Sequence, residues 1–203
     1  MITGIVLAAG ESKRMGRPKQ LLSFGSSTIL EHVVDSLLRS KIEELVLVLG
    51  HESGRIKARF EGAPVKVALN PDYKQGMSTS IICGIRAASV ESQACLIALG
   101  DQPLIRSEVV NSLVSAYNER GKGIVVPVYE GMAGHPVIFD LKYRDQLLSL
   151  TGDNGGKTVV NAFPDDVYQV NVDTASVIYD IDRWEDYQQQ LERFLASKEE
   201  VCG

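Results

Sequence analysis

The segment Leu7-Ala8-Ala9-Gly10-Glu11-Ser12-Lys13-Arg14-Met15-Gly16-Arg17-Pro18-Lys19 closes an apolar run on a glycine. It then sets four cations, Lys13, Arg14, Arg17 and Lys19, within seven residues. The chain as a whole carries a formal net charge of -5, so this concentration is local. Glycine lets backbone N–H groups come close to a ligand, and clustered Lys and Arg neutralise phosphate oxygens. The chemistry that fits is a triphosphate cradle at the end of a first strand; the competing reading is a solvated run of surface charge. Spacing removes two familiar cradles. A dinucleotide-binding turn needs G-x-G-x-x-G, whereas Gly10 and Gly16 have five residues between them. A Walker A loop needs glycine directly before its lysine, and Pro18 precedes Lys19.

Three further stretches carry usable chemistry. Gly100-Asp101-Gln102-Pro103 follows the apolar run Ala94–Leu99. A carboxylate there suits a divalent cation, which takes hard oxygen ligands together with substrate phosphates, or it is a turn former or helix cap. Gly76-Met77-Ser78-Thr79-Ser80 opens a helical pattern; its N–H and hydroxyl groups suit an anion or a base edge, unless Ser78 is simply the N-cap. Asp180-Ile181-Asp182 ends the apolar run Val177–Ile181. In a strand, residues i and i+2 share a face, so one of these aspartates could reach Asp101, or Asp182 could cap the helix that follows. Gly152-Asp153-Asn154-Gly155-Gly156-Lys157-Thr158 imitates the tail of a P-loop, but Thr151 stands where its first glycine belongs and a helical pattern precedes it. His32 and His51 read as structural or solvent-facing, and His135 has no neighbouring Cys or His to share a metal. No G-x-S-x-G nucleophile elbow occurs.

The elements that must position these residues alternate. Ile2–Ala9, Leu45–Leu49, Val65–Leu69 and Ala94–Leu99 are continuous apolar runs, as expected of parallel strands covered on both faces. Between them, Thr28-x-x-Glu31 predicts a capping box for a helix with Ile29, Val33, Val34, Leu37 and Leu38 on one face. Ile81, Ile85 and Ala88 mark a second helix; Val109 to Tyr117, capped by Ser107, mark a third. Ile124–Val128 and Pro136–Phe139 pair across Tyr129–His135, Val167–Val170 and Val177–Ile181 are short strands, and Arg183–Ala196 is a helix. The expected architecture is α/β, a three-layer αβα sandwich with a Rossmann-like, mainly parallel sheet and one antiparallel strand. A single domain is expected over residues 1–203. An apolar share of 44% and a charged share of 23% are those of a globular protein. No run approaches the roughly 20 apolar residues of a membrane span. Acidic net charge argues against nucleic-acid binding. Three cysteines without C-x-x-C spacing point to a cytoplasmic location.

Taken in order, these motifs resemble those of the MobA-like nucleotidyltransferases, and within them the molybdenum cofactor cytidylyltransferase group. The opening motif over Leu7–Lys19, G-M-x-x-S at Gly76–Ser80, G-D-x-P at Gly100–Pro103, G-H-P-[VI]-x-F at Gly134–Phe139, G-D-x-G at Gly152–Gly155 and a D-I-D stretch at Asp180–Asp182 all occur in sequence. Two departures stand out: Arg183-Trp184 replaces Thr-Pro, and Lys157 replaces Arg without reproducing its planar fork. The resemblance implies transfer of CMP from CTP to molybdopterin-bound molybdenum, with release of pyrophosphate. It assigns Lys19 to the α-phosphate and Arg14 to the β- and γ-phosphates. Leu7, Ala8, Ala9, Gly10 and Gly76 would contact the nucleotide and Ser80 the base. Asp101 and Asp182 would hold Mg²⁺, with Mn²⁺ as a substitute, and His135, Asp153 and Lys157 would face the pterin. It also implies a molybdenum hydroxylase apo-enzyme as recipient. Competing classes are a guanylyltransferase or other cytidylyltransferase of this fold, an NAD(P)-dependent oxidoreductase and a non-catalytic cofactor carrier. Ala9 and Pro18-Lys19 differ from the L-A-G-G and Gly-x-Asp-Lys endings of the guanylyl group, and the absent G-x-G-x-x-G opposes the oxidoreductase. A carrier would not need Lys19 and Asp101 together.

Overall fold

The computed structural model describes residues 1–202, with side chains described through Ala196. Strand β1 (Ile2–Ala8) leads through a short hairpin, β2 (Ser23–Phe24) and β3 (Ser27–Thr28), into helix α1 (Ile29–Leu38). Next come β4 (Glu44–Leu49), α2 (Ser53–Ala58), β5 (Lys66–Leu69), α3 (Met77–Ala87), β6 (Ala94–Leu99) and α4 (Ser107–Arg120). The remainder comprises β7 (Ile124–Tyr129), β8 (Met132–Ala133), β9 (Val137–Asp140), α5 (Arg144–Leu148), α6 (Lys157–Ala162), β10 (Val167–Asn171) and α7 (Trp184–Cys202).

The main sheet runs β10-β7-β9-β6-β1-β4-β5, with β8 folded back on β7. β1 pairs in parallel with β4 and β6, β4 with β5, and β10 with β7. β9 is antiparallel to both its neighbours, β6 and β7. Side chains alternate across each strand, and the two faces carry separate cores. Val6, Leu45, Leu47, Leu49 and Leu96 pack with Leu30, Val33 and Leu37 of α1 and Val110 and Leu113 of α4. Ile5, Val46, Val48, Cys95 and Ile97 pack on the opposite face with Ile81 and Ile85 of α3, Leu147 of α5 and Val159 of α6. The result is the αβα sandwich expected from the continuous apolar runs, with a second short antiparallel strand, β8, beyond the one anticipated.

Helix α1 starts as Thr28-x-x-Glu31 predicts. The Thr28 Oγ1 accepts from the Glu31 N–H at 3.3 Å, and the Glu31 carboxylate accepts from the Thr28 N–H at 2.7 Å. Glu31 also takes two hydrogen bonds from Arg59, at 3.0 and 3.1 Å, tying α1 to the end of α2. Thr28→Ala is therefore expected to destabilise the protein by about 1 kcal/mol, read as a lower midpoint in urea unfolding at unchanged slope.

Three local expectations are corrected. Ser107 is the first residue of α4, and the cap position is Arg106, without a side-chain cap. Ser78 lies inside α3, whose cap position is Gly76. Val177–Ile181 is not a strand: after a 3₁₀ turn at Ala175–Val177 it runs outside every sheet. Its backbone is held instead by other elements. The Val177 carbonyl accepts from the His135 N–H at 2.8 Å and from Gln102 Nε2 at 3.3 Å, and the Ile181 N–H donates to the Asp101 carbonyl at 3.1 Å. Its apolar residues satisfy the core without a ladder partner.

Candidate functional site

β1 and β6 are adjacent parallel strands with Leu7 opposite Leu99. Their carboxyl ends therefore deliver the Gly10–Lys19 loop and the Gly100–Pro103 turn side by side, where ligands of open α/β sheets bind. Gly100 allows the approach: a Cβ there would lie 2.9 Å from the Leu7 carbonyl oxygen, to which the Gly100 N–H donates at 3.0 Å.

The loop turns its carbonyls inward. Those of Ala8 and Gly10 accept from Gln20 Nε2 at 3.4 and 3.1 Å, and that of Ala9 accepts from the His51 N–H at 3.1 Å. Among the described residues the N–H groups of Gly10, Glu11 and Ser12 donate to no backbone carbonyl. Ser12 holds a left-handed conformation (φ 53°), which costs a non-glycine residue about 1 kcal/mol. Its Oγ accepts from the Lys19 N–H at 3.1 Å, closing the loop on itself. Gln20, only 3% exposed, is thus the internal brace of the loop. The sequence offered no sign of this, since a glutamine beside four cations reads as ordinary surface.

At the centre lies an ion cluster drawn from three distant parts of the chain. Lys19 Nζ sits 2.6 Å from Asp101 Oδ2, 2.9 Å from Asp182 Oδ1 and 2.7 Å from the Ile181 carbonyl. Arg14 reaches the other Asp182 oxygen at 2.5 Å. Burial by itself would lower the Lys19 pKa, but Asp101 and then Asp182 hold the ammonium above its ordinary value. Burial pushes the Asp101 carboxyl up against the pull of Lys19. Asp182 is held down: Lys19, then Arg14, outweigh its own burial. The helix-cap alternative for Asp182 is not adopted: α7 starts at Trp184, the Asp182 carboxylate accepts from Lys19 and Arg14, and the Asp186 carboxylate accepts from the N–H groups of Asp182 and Arg183 at 3.1 and 2.8 Å. That leaves the Asp182 carboxylate free to face the cluster.

Leu7, Ala8, Ala9, Gly10, Arg14, Lys19, Gly76, Ser80, Asp101, Asp153 and Asp182 all line one cavity of about 610 Å³. Gly76 makes its second wall possible. With φ at 113° it holds a backbone shape that L side chains rarely adopt, and a Cβ would collide with the Gly152 carbonyl. That carbonyl instead accepts from the Ser78 N–H at 3.1 Å, which docks the Gly152–Gly155 loop on the start of α3. His135 and Lys157 do not line the cavity. Lys157 is exposed at the start of α6. His135 is half-buried, and burial lowers its pKa against a backbone bond to Ile97 and the charge of Asp180. Trp184 packs against the Arg17 guanidinium, whose carbon lies 5.1 Å from the ring centroid.

Asp101, Asp180 and Asp182 each offer a carboxylate oxygen, all within 4.8 Å of one another. Asp101 Oδ1 is buried and, among the described residues, has no hydrogen-bond partner. An oxygen-only donor set with an orphaned carboxylate oxygen fits a hard divalent cation. Both aspartates of the Asp180-Ile181-Asp182 stretch reach it, although the strand alternation expected to place them is absent.

This fold is that of a nucleotidyltransferase. Residues 4–167 match the MobA-like NTP transferase domain, and the chain belongs to that family. The molybdenum cofactor cytidylyltransferase of Escherichia coli (strain K12) is 27% identical over 191 residues, 94% of this chain and 95% of that protein. Nicotine blue oxidoreductase of Paenarthrobacter nicotinovorans is 31% identical over 172 residues, 80% of this chain and 83% of that one. The crystal structure of Rv0371C from Mycobacterium tuberculosis H37Rv in complex with manganese superposes with a TM-score of 0.82 at 28% identity, covering 94% of this chain and 98% of that one.

Proposed function

We propose that the protein is a molybdenum cofactor cytidylyltransferase of the cytoplasm, acting as a single domain. The observation that carries the reading is the meeting of Lys19 with Asp101 and Asp182 beneath an inward-braced, cation-rich loop. Support comes from the cytidylyltransferase relative, which aligns over 94% of the chain. In this reading the terminal phosphate of molybdopterin attacks the α-phosphorus of CTP. A new P–O bond forms there, the bond to the β-phosphate oxygen breaks, and pyrophosphate leaves. Positioning and charge neutralisation supply most of such catalysis. Lys19 neutralises the α-phosphate oxygens, and Arg14, at the outer edge of the cluster, takes the β- and γ-phosphates. The N–H groups of Gly10 to Ser12, which donate to no backbone carbonyl among the described residues, donate to the same anion. Asp101, Asp180 and Asp182 would hold Mg²⁺, or Mn²⁺ in its place, and the bound ion supplies further neutralisation of the triphosphate. Asp153, which lines the cavity, would face the pterin side, and His135 and Lys157, outside the lining, would meet the pterin only where it extends beyond the cavity.

The test is incubation with Mg²⁺, molybdenum cofactor and each of CTP, GTP, ATP and UTP in turn. Pyrophosphate release confined to CTP is expected. Release confined to GTP would reverse the nucleotide assignment, and no release with any of them would favour the carrier. The oxidoreductase relative favours a second reading. Against it stand the glycine spacing and the concentration of charge at Lys19 and Asp101, which serves phosphate rather than hydride chemistry. Oxidation of NADH or NADPH by the protein would bring that reading forward.

A further inference from the structure

Asn70 is 4% exposed and Ser80 is 6% exposed, and between them they hold a hydrogen-bond arrangement with a definite polarity. The Asp72 N–H donates to Asn70 Oδ1 at 3.0 Å. A backbone N–H can only donate, so this contact fixes which end of the amide is oxygen. The amide nitrogen then points its two protons at Thr79 Oγ1, 2.9 Å away, and Ser80 Oγ, 3.0 Å away. Thr79 disposes of its own proton on the carbonyls of Asp72 and Gly76, at 3.1 and 2.9 Å. Ser80 does not. One of its lone pairs is taken by Asn70, and among the described residues its hydroxyl proton has no acceptor. Yet Ser80 lines the cavity. A ligand that presents an acceptor satisfies this proton, whereas a ligand that donates to Ser80 leaves it buried and unpaired. An unsatisfied buried donor costs about 1–3 kcal/mol.

We propose that Asn70 is a positioning residue that sets the Ser80 hydroxyl as a hydrogen-bond donor to the nucleobase, so that this subsite selects a base edge with an acceptor, carbonyl O2 of a pyrimidine. The inference rests on the cytidylyl-transfer reading above. It gives Ser80 a direction, and it gives Asn70, which reads in the sequence only as part of an Asn-Pro turn, a part in specificity.

The test measures Mg²⁺-dependent binding of CTP and of 2-thio-CTP by calorimetry. In the thio analogue a weak sulfur acceptor replaces O2. The unmodified protein is expected to bind CTP about tenfold more tightly, the scale of one neutral hydrogen bond. Ser80→Ala removes the donor. Asn70→Asp keeps the shape and the Asp72 contact but turns the facing atom into an acceptor, which draws the Ser80 proton away from the cavity. Each variant should bind CTP about tenfold more weakly, with the two nucleotides now bound alike, and the double variant should bind no more weakly than either single one. A merely structural role for Asn70 would weaken both nucleotides and keep the ratio between them. Retention of the tenfold preference in Asn70→Asp overturns the proposal, as does further loss in the double variant. If Asn70→Asp does not fold, Asn70→Ser, which removes the amide without adding charge, takes its place. Binding of GTP in place of CTP would sink the cytidylyl reading alone. The hydroxyl's direction would then be judged on GTP against 6-thio-GTP in the same variants, a lost preference in Asn70→Asp sustaining it and a kept one overturning it.

Discussion

Lys19→Ala is expected to slow pyrophosphate release about a thousandfold, since removing one preorganised partner of a developing oxyanion costs about a hundredfold to a thousandfold and a full cation at a transferring phosphoryl group more still. The same variant should bind Mn²⁺ more tightly than the unmodified protein. The ammonium holds Asp101 Oδ2 at 2.6 Å and Asp182 Oδ1 at 2.9 Å, so any cation that uses those oxygens must displace it. Slower chemistry with tighter metal binding separates a lysine that acts on phosphate from one that only organises the carboxylates. The fold should survive. Asp182 keeps Arg14 as a partner, and Asp101 borders the open cavity, where a cation can take the place of the ammonium. Near-normal turnover, or unchanged Mn²⁺ affinity with turnover intact, would defeat the assignment.

Asp101→Ala is expected to cost a similar factor for the opposite reason. Asp101 is the most enclosed member of the cluster's carboxylates that meet Lys19, with a side chain 17% exposed against 40% for Asp182, and its Oδ1 is the orphan that a cation would satisfy. Without it the donor set shrinks to Asp180 and Asp182, and Mn²⁺ affinity should fall by at least tenfold while Lys19 keeps Asp182 as its counter-charge. Calorimetry with Mn²⁺ and steady-state pyrophosphate release give the two readings. If metal affinity is unchanged and turnover is lost, Asp101 serves Lys19 rather than the ion.

The parts of this molecule legible in the sequence are those governed by short-range rules. β1, β4 and β6 announce themselves because strands buried on both faces need unbroken apolar runs, and α1 because a capping box needs only four residues. From β1 and β6 the placement of Gly10–Lys19 beside Asp101 is a direct consequence, since both sit at carboxyl ends. What escaped depends on contacts between distant residues. Val177–Ile181 has the apolar content of a strand, and nothing local distinguishes a run buried against a ladder from one buried against turns. The short elements α2, α5 and α6 carry too few residues for a period to emerge. Gln20 and Asn70 are polar residues in turn-rich stretches, and only the fold shows that each is buried with its amide fully directed. His135 and Lys157 came from resemblance rather than from residue chemistry, and the cavity leaves both outside.

The segment that carries Asp180 and Asp182 has one more implication. Lys19 and Asp101 are carried by the connections that leave β1 and β6, whereas Asp180 and Asp182 ride on a stretch that lies outside every sheet. That stretch is held by backbone bonds to His135, Gln102 and Asp101 rather than by a place in the sheet. Its side chains can therefore be altered without re-registering any strand. Exchange of Asp180 or Asp182 therefore changes the acid complement that faces Lys19 and leaves the strand ends that deliver Lys19 and Asp101 in place.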